Sequence, residues 1–178
     1  MWYLTAAVIL VGALCVLDLI LSLDIVRRLR EQDETLARLT GPRPASEATV
    51  PVGRRIGEFT ATTFSGAVVS RDGMVGDRLV GFLSPGCRPC EQQLPRFLEY
   101  AERFPGHVLA VVVADVADAG EYTARLAPVA DVVVEKDGGT VVRAFAVTGF
   151  PAFCLLGADG VVTANGPTMA ALPALSRT

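Results

Sequence analysis

Histidine is all but missing from this chain. His107 is the only one in 178 residues, and of the four cysteines Cys15 and Cys154 each stand alone. The remaining pair, Cys87 and Cys90, therefore has no histidine or second close-spaced pair with which to complete a tetrahedral zinc site. Four cysteines so scattered also exclude a small scaffold held together by disulfides. Basic charge is not in excess: 16 Lys and Arg against 19 Asp and Glu leave a net charge of -3. With an isoelectric point near 5.2, the electrostatic footprint of a nucleic-acid binder is absent. No cofactor and no metal are called for.

The opening stretch lacks what a cleaved leader would have. From Trp2 to Val26 nearly every residue is apolar, but no Lys or Arg precedes the run and no small-x-small site closes it. Leu14 directly ahead of Cys15 argues against a lipid-modified cysteine. About 20 apolar residues suffice to cross a bilayer as a helix, so residues 1–26 read as a single-span membrane anchor. Residues 27–40 read as a charged juxtamembrane helix, with Arg27/Glu31, Arg30/Glu34 and Glu34/Arg38 four apart. Pro42, Pro44 and Pro51 make residues 41–55 a semi-extended linker, and at about 3.1 Å per residue it spans roughly 40 Å.

Residues 56–178 suit one domain with one core. Glu58 to Thr63 and Ala67 to Ser70 about a Ser65-Gly66 turn predict a β-hairpin. Leu79 to Leu83 reads as a buried strand, broken by Ser84-Pro85-Gly86, and a helix follows Cys87. In that helix Leu94, Phe97, Leu98, Ala101 and Phe104 make a core-facing stripe, while Arg96, Glu99, Glu102 and Arg103 point outward. Pro95 should kink it. Val108 to Ala114 is the unbroken apolar run of a parallel strand covered on both faces. Ala119 to Leu126 then reads as helix, Val132 to Val134 as strand, Gly139 to Phe145 as helix, Ala152 to Leu156 and Val161 to Ala164 as strands, and the chain from Met169 as a short final helix.

Cys87-Arg88-Pro89-Cys90 is the stretch that carries chemistry. It sits where a buried strand gives way to a helix, and unpaired N–H groups with the helix macrodipole favour a thiolate there. Two intervening residues put both sulfurs in one helical turn, so a small disulfide ring can close and the second thiol can displace a mixed disulfide made by the first. So small a loop adds little chain-entropy stabilisation, which argues for redox use over a static crosslink. Arg88 and Pro89 are the residues placed to tune the thiol. Cys154, in a strand rich in Phe and Leu, reads as buried packing, and His107 as a surface residue.

Phe82-Leu83-Ser84-Pro85-Gly86-Cys87-Arg88-Pro89-Cys90, the later Gly149-Phe150-Pro151-Ala152-Phe153 and the Asp159-Gly160 hairpin resemble the thioredoxin superfamily. Within it the chain looks like the membrane-anchored TlpA/ResA-like thiol-disulfide oxidoreductases, nearest the MauD type of methylamine utilisation. The resemblance implies a thioredoxin-like α/β fold, a central mixed sheet flanked by helices with an N-terminal hairpin, behind a single transmembrane helix. It implies Cys87 as nucleophile and Cys90 as resolver, a cis Phe150-Pro151 bond facing the disulfide and lining the substrate site, protein thiols and disulfides as substrates, and a membrane electron-transfer partner.

Two departures stand out. The positions at which members of the superfamily carry a buried carboxylate hold Gly81 and Gln93 here, so neither can exchange a proton with Cys90. The other readings weighed are a non-catalytic thioredoxin-fold escort module and a thiol peroxidase, the latter disfavoured because Pro85-Gly86-Cys87 lacks the Thr-x-x-Cys setting of peroxiredoxins. Localisation is expected at the cell membrane, single-pass. The dithiol chemistry places the redox domain outside the cytoplasm, whereas Arg27, Arg28 and Arg30 after the span argue the opposite.

Overall fold

The computed structural model describes Trp2, residues 49–73 and residues 76–175. Apart from Trp2, the expected anchor 1–26, the charged helix 27–40 and the first part of the linker lie outside the described residues. Among the described residues no helix is long and apolar enough to cross a membrane.

A hairpin, β1 (Thr60–Thr62) and β2 (Val68–Ser70), pairs antiparallel. It is shorter than expected at its first strand. There follow β3 (Arg78–Leu83), α1 (Arg88–Arg103), β4 (His107–Val113), α2 (Gly120–Leu126), β5 (Asp131–Glu135), α3 (Thr140–Ala144), β6 (Ala152–Leu156) and β7 (Val162–Gly166). The expected final helix is a single 3-10 turn, Met169–Ala171. The five-stranded sheet has the order β5-β4-β3-β6-β7; β3, β4 and β5 run parallel, and β6 and β7 are antiparallel additions. This is the thioredoxin-like mixed sheet expected from the sequence.

The alternation of strand side chains builds two core layers. Val80 and Phe82 of β3, Leu109 and Val111 of β4 and Ala152 of β6 face one side, where α3, Phe145, Ile56 and Phe59 cover them. Leu79 and Leu83, Ala110 and Val112, and Phe153 face the other, under α1 and α2. The stripe read from the sequence is the buried edge of α1: Leu94 and Phe97 are fully buried, while Arg96, Glu99, Glu102 and Arg103 are exposed. Each fully buried Leu or Phe contributes about 1.5–3 kcal/mol relative to exposure. The helix continues through the exposed Pro95 to Arg103.

The linker reading fails over its last seven residues. Thr49 and Val50 are buried, the Val50 N–H donates to the Phe145 carbonyl at 2.9 Å, and Arg55 bridges Val161. A polar group makes the attachment: Asn165 Nδ2 donates to Thr49 Oγ1 at 3.0 Å and to the Val50 carbonyl at 2.8 Å. Proline content marked an extended segment here, but an extended segment can also lie along a domain and exchange hydrogen bonds with it.

Candidate active site

β3 ends at Leu83, and the chain turns through Ser84-Pro85-Gly86 into α1. Gly86 has φ +73, a left-handed conformation in which a side chain would be strained. Ser84 Oγ donates to the Val113 carbonyl at 2.9 Å, tying this turn to the end of β4. Cys87 is then the N-cap of α1, and its sulfur accepts from the Cys90 N–H at 3.3 Å. Arg88 and Pro89 open the helix, where a proline costs nothing because the first N–H groups have no intrahelical acceptor. The sequence thus places a sulfur where a hydroxyl or carboxylate ordinarily caps a helix.

Cys87 and Cys90 are joined as a disulfide, with Cα atoms 5.2 Å apart. The two sulfurs differ in access: Cys90 is 0 % exposed, whereas Cys87 is partly exposed. Arg88 and Pro89 are both exposed beside them, and Arg88 forms no ion pair among the described residues. Across from Cys87 lies the start of β6, where the Phe150-Pro151 bond is cis, as the resemblance implied. The Phe150 carbonyl oxygen is 3.7 Å from the Cys87 sulfur; with the disulfide closed this is a contact, and a Cys87 thiol would donate to it. The structure thus brings Cys87, Cys90, Phe150 and Pro151 into one site.

The missing acid has a physical reason at one position. A Cβ built on Gly81 would lie 2.6 Å from Phe97 Cε2, and Phe97 in turn stacks on Phe153, ring centres 5.7 Å apart. The space a carboxylate would need is filled by an aromatic pair. At the other position, Gln93 Oε1 accepts from the Met169 N–H at 3.1 Å and ties α1 to the last turn of the chain. Among the described residues no group of three or more metal-ligating side chains occurs.

Cys154 stays apart from this site. It is fully buried, its sulfur is 3.3 Å from Thr49 Oγ1, and burial pushes its thiol up to about 11, with Thr49 pulling weakly the other way. His107 is exposed at the start of β4. Sequence reasoning missed Tyr122, which is buried on α2 under the same core layer as Cys90. Ala119 to Leu126 reads only as a helix, and nothing in the sequence marks this hydroxyl.

No family model and no curated protein match the chain. Solved structures do match in shape. The thioredoxin domain of the thiol-disulfide oxidoreductase BVU-2223 from Bacteroides vulgatus is 22% identical, with a TM-score of 0.56 over 65% of this chain and 88% of that one. A secreted Mycobacterium tuberculosis disulfide oxidoreductase homologous to E. coli DsbE is 24% identical, TM-score 0.53, over 65% and 87%. A thio-disulfide isomerase from Thermus thermophilus is 18% identical, TM-score 0.56, over 67% and 87%. Likeness at these identities defines a class by its fold: the described domain is thioredoxin-like, with a cysteine pair at the amino end of its first helix.

Proposed function

We propose that the protein is a thiol-disulfide oxidoreductase acting on protein thiols and disulfides. The observation that carries this is the asymmetry of the pair: a partly exposed Cys87 capping α1 and facing the backbone of Phe150, with Cys90 fully buried behind it. In the reducing direction, the Cys87 thiolate attacks a substrate disulfide. One new S–S bond forms to Cys87, and the substrate's other sulfur leaves as a thiolate. The Cys90 thiolate then attacks the Cys87 sulfur, closing the disulfide and releasing the second substrate thiolate; two electrons have passed to the substrate. The reverse sequence oxidises a dithiol. The Cys90 N–H and the helix dipole hold negative charge on Cys87, and the Arg88 cation beside it favours the same state.

An extended substrate segment pairs with the backbone edge at Phe150, whose following residue, Pro151, offers no N–H of its own. Membrane attachment through residues 1–26, a redox domain outside the cytoplasm, a membrane electron-transfer partner and kinship to the MauD type belong to the same proposal. They rest on the apolar opening run and the motif sequence. Cys90→Ser tests the exchange reading: without its resolving thiol the protein should accumulate mixed disulfides through Cys87, visible as dithiothreitol-sensitive adducts. Absence of adducts under redox-active conditions overturns the proposal, and a Cys87→Ser, Cys90→Ser protein that restores full function in cells would establish a binding module instead. An impermeant thiol reagent on intact cells, labelling reduced Cys87 only if it lies outside, tests the topology.

A further inference from the structure

Three of the large apolar side chains that the domain leaves in water gather about one cleft. Phe64 is 70 % exposed, Val68 71 % and Val116 77 %. Phe64 from the hairpin and Val116 from the loop between β4 and α2 line a cleft of about 190 Å³, whose other walls include Thr62, Gly120, Thr123 and Val134. Val68 pairs with Thr62 across the hairpin. Exposed apolar residues scattered singly call for no explanation, but a cluster of them marks an interaction site. The cleft is the size of one side chain: an apolar cavity of about 150 Å³ takes a benzene ring, whereas small-molecule sites begin near about 300 Å³.

The sheet places this cleft at the same end as the cysteine pair. Val134 of β5 is level with Val112 of β4, and Val112 with Leu83, the last residue of β3. Two strand spacings, about 10 Å, therefore separate the cleft wall from the strand end that leads to Cys87. The bond from Ser84 Oγ to the Val113 carbonyl joins the turn before Cys87 to the strand from which the Val116 loop springs. The wall is also an open sheet edge. The Glu135 carbonyl is turned toward β4, where it accepts from the Ala114 N–H, while the Val132 carbonyl is turned outward and accepts from the Phe64 N–H at 2.6 Å. By alternation Val134 is turned outward as well, and its N–H and carbonyl have no partner there among the described residues. The rim on the α2 side is acidic. Asp118 and Glu121 are exposed and form no ion pair among the described residues, while Asp115 is paired with Lys136 at 2.7 Å.

Resting on the exchange reading above, we propose that this cleft is an anchoring subsite for the protein substrate. It takes one apolar side chain, flanked by Lys or Arg, from the segment that bears the reacting cysteine. The side chain packs on Phe64, Val116 and Val134, the backbone beside it meets the free N–H and carbonyl of Val134, and the flanking cations face Asp118 and Glu121. At about 3.3 Å per residue, the distance from the cleft to the strand end that delivers Cys87 is bridged by about three to five residues of extended chain. The subsite thus selects among substrates whose disulfides are equally accessible.

Two peptides test this on the full chain carrying Cys90→Ser. Each holds its one cysteine as a mixed disulfide with thionitrobenzoate; one carries Lys-Leu-Lys centred four residues from the cysteine, the other Lys-Ala-Lys. The Cys87 thiolate attacks the peptide sulfur, the bond from Cys87 to the peptide forms, the bond to thionitrobenzoate breaks, and the electron pair leaves on the coloured thionitrobenzoate thiolate, which reports the rate. The leucine peptide should react about tenfold faster than the alanine peptide, as burial of a leucine side chain implies, and Glu in place of both lysines should slow it. Phe64→Ser and Val116→Ser, both on the surface, should bring the ratio close to one. Val52→Ser, which removes an exposed apolar side chain of the strap, should leave it at about ten. Serine versions of the peptides cannot exchange; the leucine one should shift the NMR amide signals of residues 62–64 and 116–123 in the oxidised parent. Equal rates for the two peptides, a ratio that survives Phe64→Ser, an equal fall in Val52→Ser, or shifts confined to other residues overturns the proposal. So does a dimer that forms with concentration and is lost in Phe64→Ser, since a second copy would then fill the cleft. A parent that reacts with neither peptide, while the serine peptide still shifts the cleft signals, overturns the exchange reading alone.

Discussion

Gly81 shows what a single absent side chain does. On β3 it faces the α1 layer, and Phe97 fills the volume above it, closer than any real Cβ would tolerate. Gly81→Ala should therefore push the Phe97 ring off Phe153 and cost about 1–3 kcal/mol, the range for overpacking a core. Gly81→Asp should cost more, because the carboxylate would be buried without a partner. Urea unfolding of the oxidised protein measures both, and an Asp variant as stable as the parent would show that the aromatic pair moves aside freely.

Cys154 makes a second prediction at this scale. Its folded pKa of about 11 lies above the reference of 9.0, so above pH 9 the unfolded chain releases a proton that the folded chain retains. Stability from this group is fully present below about pH 9 and is lost as the pH rises through about 11. Cys154→Val should flatten that part of the stability-pH curve relative to the parent.

At the scale of elements, the short helix α3 depends on one side chain. Glu135, the last residue of β5, accepts from the Val142 N–H at 2.7 Å through Oε1 and from the Val141 N–H at 3.1 Å through Oε2. These are among the unpaired donors that open every helix, and a five-residue helix has little else to hold its first turn. Val141 and Val142 are buried in the layer beneath, and the chain runs on from α3 to Phe150 and Pro151 beside Cys87. Glu135→Ala should lower stability by about 1–3 kcal/mol, and Glu135→Gln, which keeps one acceptor, by less. Because α3 leads directly into the segment that carries Phe150 and Pro151, thiol exchange should slow in the same order; stopped-flow kinetics with a small disulfide reads this out.

Which elements were legible in the sequence follows from the same physics. Local pattern sufficed for β3, α1, β4, α2 and β6, because a strand buried on both faces and an amphipathic helix write their burial into consecutive residues. The cysteine pair was legible through its place between two such elements. The packing of Phe97 over Gly81 and the Tyr122 hydroxyl were not, since each is decided by side chains from different elements meeting in space.

For the molecule as a whole, the largest revision concerns where the domain begins. Pro51 and the lack of periodicity suggested that folding starts near Ile56. Yet Thr49 meets Asn165, 116 positions later, and no window of sequence holds that pairing. The segment acts as a strap: the Val50 N–H bonds the Phe145 carbonyl, the Gly53 N–H bonds the Val162 carbonyl, and the Val162 N–H bonds the Arg54 carbonyl. It bonds to the chain at the end of α3 and at the start of the outer strand β7. Burying Val50 contributes about 1.5–3 kcal/mol and each hydrogen bond about 0.5–1.5 kcal/mol, while ordering each residue costs about 1–2 kcal/mol. These terms oppose one another along the strap, and the gain is concentrated at Thr49 and Val50, where a buried side chain and the bonds to Asn165 coincide. Compared with a chain beginning at Thr49, one beginning at Ile56 should unfold at lower urea concentration and expose the Cys154 thiol, which Thr49 covers, measurable as faster reaction with a thiol reagent in the native state. Equal stability of the two truncations, with Cys154 equally protected, would return residues 49–55 to the linker.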